Sequence, residues 1–284
     1  MSSIKGTLIP IGGNEAKGKH ENNGLDYITE GILYHVVQQS GGVNAKIVVI
    51  PTASSIPTKV GENYLAAFSE LGCTDVTVLK LKERSQCELP KNLALINEAK
   101  CVMFSGGDQS KIASVIGGTS IHDILIKKYQ NENFVIAGTS AGAMAMANEM
   151  IAGGSSTEAL LKGAVIMKKG LSLIPEMIID THFIRRGRFG RLAEAVAIHP
   201  SLIGIGLAED TGLIIKNGNE FKVIGSGMVL MLDPRNLTHN SHEKLKVGTA
   251  MSMSNLTTHI LANGDRFTMD DRKISVLPIH EAFV

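Results

Sequence analysis

An α/β fold with a mainly parallel sheet covered by helices on both faces is the architecture this 284-residue sequence predicts, and three observations carry it. Short β-branched runs alternate with longer stretches of helical periodicity through the first half of the chain. Apolar runs such as Ile47-Val48-Val49-Ile50 are not interrupted by polar residues, as strands buried on both sides require. Loops rich in glycine, serine and proline follow these runs, at the strand ends where ligands collect in such sheets.

Thr7–Ile11 reads as the first strand, ended by Gly12-Gly13. A helix is expected over Leu25–Gln39, where Ile28, Ile32, Leu33 and Val36 recur at helical spacing. Lys46–Ile50 is the next strand, stopped by Pro51, and a helix over about Lys59–Leu71 leads to a strand at Val76–Leu79. A short helix near Leu93–Ala99 precedes the strand Cys101–Phe104. Helices across Ser110–Ile116 and Ile121–Tyr129 precede the strand Phe134–Ala137. Gly12-Gly13, Pro51–Ser55, Gly106–Gln109 and Gly138–Ser140 all follow predicted strands, so these four loops should meet on one rim. After about residue 200 the pattern becomes antiparallel. Ile203–Leu207, Gly212–Ile215, Phe221–Ile224 and Val229–Leu232 read as a meander, with Asn217-Gly218 as a hairpin turn. His259–Ala262 and Arg266–Met269 read as a last hairpin around Asn263-Gly264. Without a linker or repeat, residues 1–284 read as a single domain whose part from about 203 to 284 is an antiparallel extension.

The charge balance is +1, from 28 basic and 27 acidic side chains, which argues against broad electrostatic attraction to nucleic acid or an anionic membrane. Tryptophan is absent and other aromatics are few, so no stacking platform for bases is visible. Cys73, Cys87 and Cys101 lack metal-like spacing and read as buried or incidental thiols. No metal and no cofactor is expected. With neither a signal-peptide pattern nor a membrane-spanning run, the expected location is the cytoplasm.

Chemistry concentrates in Asn133–Met144. An apolar run ends in Gly138-Thr139-Ser140-Ala141-Gly142, the sequence form of a nucleophile elbow. Such a turn holds a serine hydroxyl outward in a strained conformation, and a Cβ at Gly138 or Gly142 would crowd it. Ser140 is the candidate nucleophile. The Ala141 N–H would lie at a helix start, where developing negative charge is favoured. Met144, Met146 and Met150 then read as core residues along the helix that follows.

A serine needs a base, and the base needs an orienting partner. His182 follows the apolar run Met177–Ile179, beside Asp180 and a cluster of four arginines. Glycines separate Arg186, Arg188 and Arg191, and helical spacing puts them partly on one side, suited to gripping a carboxylate. Asp180 would meet a guanidinium, either of the substrate or of a neighbouring arginine. The orienting acid is Glu209 or Asp210, both just after an apolar strand. Gly106-Gly107 would let a backbone N–H approach a reacting carbonyl, so Gly107 and Ala141 form a candidate oxyanion hole. Gln109 would reach the bound substrate.

Phe104–Gln109, Gly138–Ala143, Asp180–Phe183 with Arg186–Leu192, and Glu209–Thr211 together resemble the S51 family of serine peptidases, which includes cyanophycinases and aspartyl dipeptidases. The likeness runs from about residue 5 to 235. It implies a sheet like that of class I glutamine amidotransferases, a homodimer, and a triad in the order Ser140, His182, Glu209. It implies hydrolysis of cyanophycin, a poly-aspartate carrying arginine on its side-chain carboxyls, to β-aspartyl-arginine dipeptides. Gln109, Asp180, Arg186, Arg188 and Arg191 would then belong to the substrate pocket. Thr181 stands where cyanophycinases commonly have glutamine. It is too short to reach a substrate amide in the same way, which leaves open another aspartyl or isoaspartyl peptide as substrate, or a catalytically silent binding module on this fold. Glutamine amidotransferase chemistry is disfavoured, because it uses cysteine at the elbow.

Overall fold

The computed structural model describes residues 4–15, 31–155, 160–270 and 273–277. Five parallel strands form its centre: β1 (Thr7–Ile11), β2 (Ile47–Ile50), β3 (Val76–Val78), β4 (Cys101–Phe104) and β5 (Val135–Thr139). They lie in the order β1-β5-β4-β2-β3. The connecting helices are α1 (Ile32–Gln39), α2 (Pro57–Glu70), α3 (Pro90–Glu98), α4 (Gln109–Ile116) and α5 (Ser120–Asn131). Residues 25–30 of the expected first helix, Ile28 among them, lie outside the described residues.

Strand side chains point alternately to opposite faces, and the two cores follow that period. Ile9, Ile11, Ile47, Val49, Met103 and Ala137 pack with α1 and α2, where Phe68 is fully buried. Leu8, Val48, Ile50, Val102, Phe104 and Ile136 pack on the other face with α3, α4 and α5. Each large apolar side chain so buried contributes about 1.5–3 kcal/mol. An unbroken apolar run is therefore the expected pattern for these strands.

A one-turn helix, α6 (Ala141–Met144), follows β5. The expected longer helix through Met150 does not form. The carbonyls that would carry it on are taken by another segment, since Ala145 O accepts the N–H of Leu171 and Met146 O accepts those of Leu173 and Ile174. The chain enters a ribbon instead, β6 (Glu149–Gly154) with β7 (Val165–Lys169). Met144, Met146 and Met150 are buried.

The second half divides between two sheets. β8 (Met177–Asp180), then α7 (Phe189–Ile198), then β9 (Ile203–Leu207) form a parallel crossover. β10 (Thr211–Lys216) and β11 (Glu220–Gly225) are the hairpin at Asn217-Gly218, and β10 joins the free edge of β1. β12 (Val229–Asp233) does not continue a meander from β11. It pairs with β9 in a four-stranded sheet. After the short pair β13 (His239–Asn240) and β14 (Met253–Ser254), β15 (Thr257–Leu261) extends that sheet beside β12. β16 (Arg266–Asp270) pairs instead with β11 and with β17 (Lys273–Leu277) on the nine-stranded sheet.

The expected β15–β16 hairpin is therefore absent. The turn itself forms, with Gly264 at φ 89 and Asp265 N–H bonded to Ala262 O. Its flanks have better partners: Val223 N–H takes Asp265 O, and Phe267 stacks on Phe221 with centroids 4.3 Å apart. A turn signal is local, whereas strand pairing is decided by the faces to be buried.

Candidate active site

The end of β1 organises the site. Three consecutive carbonyls accept backbone N–H groups from three distant loops: Ile11 O from Ser140 (2.8 Å), Gly12 O from His182 (2.9 Å) and Gly13 O from Asp210 (2.9 Å). Ser140, His182 and Asp210 all have positive φ (51, 49 and 47), as does Asn14 (50). Non-glycine residues avoid this region, so strain is concentrated where the loops converge.

The elbow is tight because of its glycines. A Cβ on Gly138 would lie 2.6 Å from Gly142 C, and one on Gly142 would lie 2.6 Å from Phe104 O. Ser140 Oγ lies 3.0 Å from His182 Nε2, and His182 Nδ1 lies 2.8 Å from Glu209 Oε1. With the ring proton on Nδ1, Nε2 is free to accept from the serine hydroxyl. Asp210, the other candidate acid, accepts instead from Ser226 Oγ at 2.6 Å. Burial pulls the His182 imidazole below its ordinary pKa, and the charges of Arg186 and Arg188 push the same way against the opposing pull of Glu209. Burial would raise the Glu209 carboxyl, but hydrogen bonds from His182 and Arg185 hold it below its ordinary value. A neutral imidazole beside an ionised carboxylate is the protonation state a general base needs.

Gly107 (φ 141) folds against the loop after β2, where a Cβ would lie 2.1 Å from Ala53 O. Its neighbour Gly106 would place a Cβ 3.4 Å from Ser140 Cβ. The N–H groups of Gly107 and Ala141 donate to no backbone acceptor among the described residues. α6 is a single turn, so the donor at Ala141 is its own N–H more than a summed helix dipole.

Asp180 is fully buried. Arg191 grips both of its oxygens, with Nε–Oδ2 at 2.8 Å, and Arg188 adds a contact of 3.1 Å to Oδ1. Of the two readings open for Asp180, it locks neighbouring arginines. Arg191 is committed to it and is only 7% exposed. Thr181 is also fully buried, and its hydroxyl turns to Met144 Sδ at 3.4 Å, away from solvent. Arg186 is exposed and Arg188 half-buried. Gln109 is half-buried and donates Nε2 to Ile151 O at 2.7 Å, tying α4 to β6. Thr52 faces inward to Leu81 O.

Two further contacts of the histidine and the glutamate were not singled out from the sequence. Gly13 (φ 106) lies against the imidazole, where a Cβ would stand 2.5 Å from His182 Cε1. Arg185 donates Nη1 to Glu209 Oε2 at 3.1 Å. The Gly12-Gly13 pair after a strand was a signal for the first. The second lay in the arginine cluster, with nothing in its spacing to single it out.

The position of the Ser140 hydroxyl, at the carboxyl end of a central parallel strand and against an imidazole, belongs to the serine hydrolases built on α/β sheets. Comparison with known proteins narrows the class. Peptidase family S51 matches residues 17–224, and the chain belongs to this family. It is 39% identical over 276 residues to a cyanophycinase from Trichormus variabilis (97% of this chain, 89% of that protein). To a cyanophycinase from Geminocystis herdmanii it is 34% identical over 266 residues (93% and 94%). Among solved structures, a peptidase from an acI-B1 actinobacterium superposes with a TM-score of 0.66 at 20% identity, over 94% of this chain and 98% of the other. A putative peptidase E from Listeria monocytogenes gives 0.53 at 16%, over 79% and 100%. At these identities the structures support the shared fold.

Proposed function

We propose that the protein is a cyanophycinase, a serine exopeptidase releasing β-aspartyl-arginine dipeptides from cyanophycin, with Ser140, His182 and Glu209 as its triad. The observation that carries this reading is the unbroken relay from hydroxyl to imidazole to carboxylate, at 3.0 and 2.8 Å. Similarity over nearly the whole chain to proteins named cyanophycinase supplies the substrate. Ser140 Oγ attacks the scissile carbonyl as its proton passes to His182 Nε2. Glu209 stabilises the imidazolium. The N–H groups of Gly107 and Ala141 hold the oxyanion, each contributing about 3 kcal/mol to the transition state. The imidazolium then protonates the leaving amine, and water, activated by the same imidazole, resolves the acyl-enzyme. No step calls for a metal or cofactor.

Gln109 and the exposed Arg186 meet the substrate, and Arg188, held through Nη1 by Asp180 and Thr181 O, offers it the rest of its guanidinium; Asp180, Thr181 and Arg191 support them. The protein works as one peptidase unit, because β10 and β11 extend the same sheet that carries Ser140. It acts as a cytoplasmic homodimer. Three free buried cysteines suit a reducing compartment, and no helix among the described residues is long and apolar enough to cross a membrane. Light scattering of the purified protein gives the mass that tests the dimer.

Incubation with insoluble cyanophycin should release soluble dipeptide, and Ser140→Ala should release none. Equal release by the two proteins would remove Ser140 from the reaction. The buried Thr181 favours a second reading, an enzyme for other β-aspartyl peptides. Cleavage of small aspartyl dipeptides without release from cyanophycin would select it.

A further inference from the structure

The carboxylate behind the imidazole is held from two sides. Glu209 Oε1 faces His182 Nδ1, and Glu209 Oε2 takes Nη1 of Arg185 at 3.1 Å. Arg185 stands three residues after the base, in the turn that the Arg186 N–H closes on His182 O. One turn therefore delivers both the imidazole and a cation for its partner. The other charged groups nearby are otherwise arranged. Asp180 binds Arg188 and Arg191, Asp210 accepts from Ser226, Glu15 accepts from Tyr64 and Thr139, and Arg186 is exposed. Among the described residues, Arg185 is the one Lys or Arg side chain that pairs with Glu209.

The geometry points to Arg185 as a positioning residue for the triad, which fixes the plane of the Glu209 carboxylate and partly neutralises it. This rests on the assignment of Ser140, His182 and Glu209 as the reacting groups. A carboxylate held through one oxygen rotates about its last bond, whereas a second donor keeps the oxygen facing Nδ1 in line. Arg185 is 70% exposed, so the effect is modest and weakened by salt. The charge has a second consequence. Without Arg185 the full charge of Glu209 acts on the imidazole, favouring imidazolium. That change raises the pH at which the base becomes available.

The experiment uses the whole protein and a fluorophosphonate that labels an activated serine without needing the natural substrate. Labelling rates against pH are measured for wild type, Arg185→Gln, Arg185→Lys and Ser140→Ala. Arg185→Gln should label about three- to fivefold more slowly on the plateau, as expected for one exposed ionic hydrogen bond. Its acidic limb should move to higher pH, and Arg185→Lys should recover part of both effects. Wild-type rate and limb in Arg185→Gln would overturn the proposal. So would a change confined to KM for cyanophycin with labelling unaltered, which would make Arg185 a substrate contact. Failure of the triad itself reads differently: wild type and Ser140→Ala would then be equally unlabelled.

Discussion

The carbonyl of Gly12 accepts the backbone N–H of His182 at 2.9 Å, although the two residues are 170 positions apart. Ile11 and Gly13 hold Ser140 and Asp210 in the same way. The three loops that supply hydroxyl, imidazole and carboxylate are thus registered against one strand end by main-chain bonds. Side-chain distances of 3.0 and 2.8 Å in the relay follow from that register.

Gly13 tests this arrangement. Its φ of 106 and the 2.5 Å approach of an added Cβ to His182 Cε1 mean that alanine would displace the imidazole. Gly41, at φ 102 with open space around its Cβ, is the control. Gly13→Ala and Gly41→Ala should both lose roughly 1–2 kcal/mol of stability from left-handed backbone strain. Only Gly13→Ala should also lose kcat, by about tenfold or more, since a displacement near 1 Å of a catalytic group has that scale of effect. Comparable kcat for the two variants would show that the imidazole does not depend on this contact.

Strain at the elbow gives a second expectation. Ser140 sits at φ 51, ψ −111, a region that glycine tolerates and other residues do not. Ser140→Gly should therefore raise stability by about 1 kcal/mol, or roughly 2 °C in Tm, while abolishing hydrolysis. Ser140→Ala should abolish hydrolysis without that gain. Calorimetry of the three proteins distinguishes strain held at the nucleophile from a turn that is relaxed as built.

The parallel half of the fold was legible because its signals are local. β1, β2, β4 and β5 fall on the apolar runs that announced them, and the turn at Asn217-Gly218 forms where the dipeptide lies. The elbow was legible for the same reason: its glycines are needed within five residues of Ser140. What the sequence hid was partnership. Nothing near Asn263-Gly264 says that its two flanking strands belong to different sheets. Likewise, nothing around Asp180 in the sequence says which guanidinium it meets; in the fold Arg191 takes both its oxygens. Nor does spacing say that Glu209, not Asp210, faces His182 Nδ1, with Asp210 turned to Ser226 sixteen residues beyond it.

The acidic limb of activity follows from the His182 pKa. Burial, seconded by Arg186 and Arg188, holds the imidazole below its ordinary 6.5. The base works when neutral, so kcat/KM should rise with pH through a midpoint below 6.5 and be level at neutral pH. Arg186→Gln removes one of the charges that disfavour imidazolium, so its midpoint should move upward. A wild-type midpoint above 6.5 would mean that Glu209, not burial, dominates the ring.

Asp180 and Arg186 should respond to substitution in opposite ways, although both lie within four residues of His182. Asp180 is fully buried between Arg188 and Arg191, so Asp180→Asn leaves two guanidinium groups facing a neutral amide away from bulk water. Breaking one side of a buried ion pair costs roughly 3–5 kcal/mol. Arg186 is exposed, and Arg186→Gln should change stability by less than about 0.5 kcal/mol. Its effect should appear as weaker binding of the substrate through its free carboxylate. Urea denaturation together with KM measured for both variants separates the two roles. An Asp180→Asn protein as stable as wild type, with KM raised, would return this carboxylate to the substrate-binding surface and make Arg191 its neighbour only by proximity.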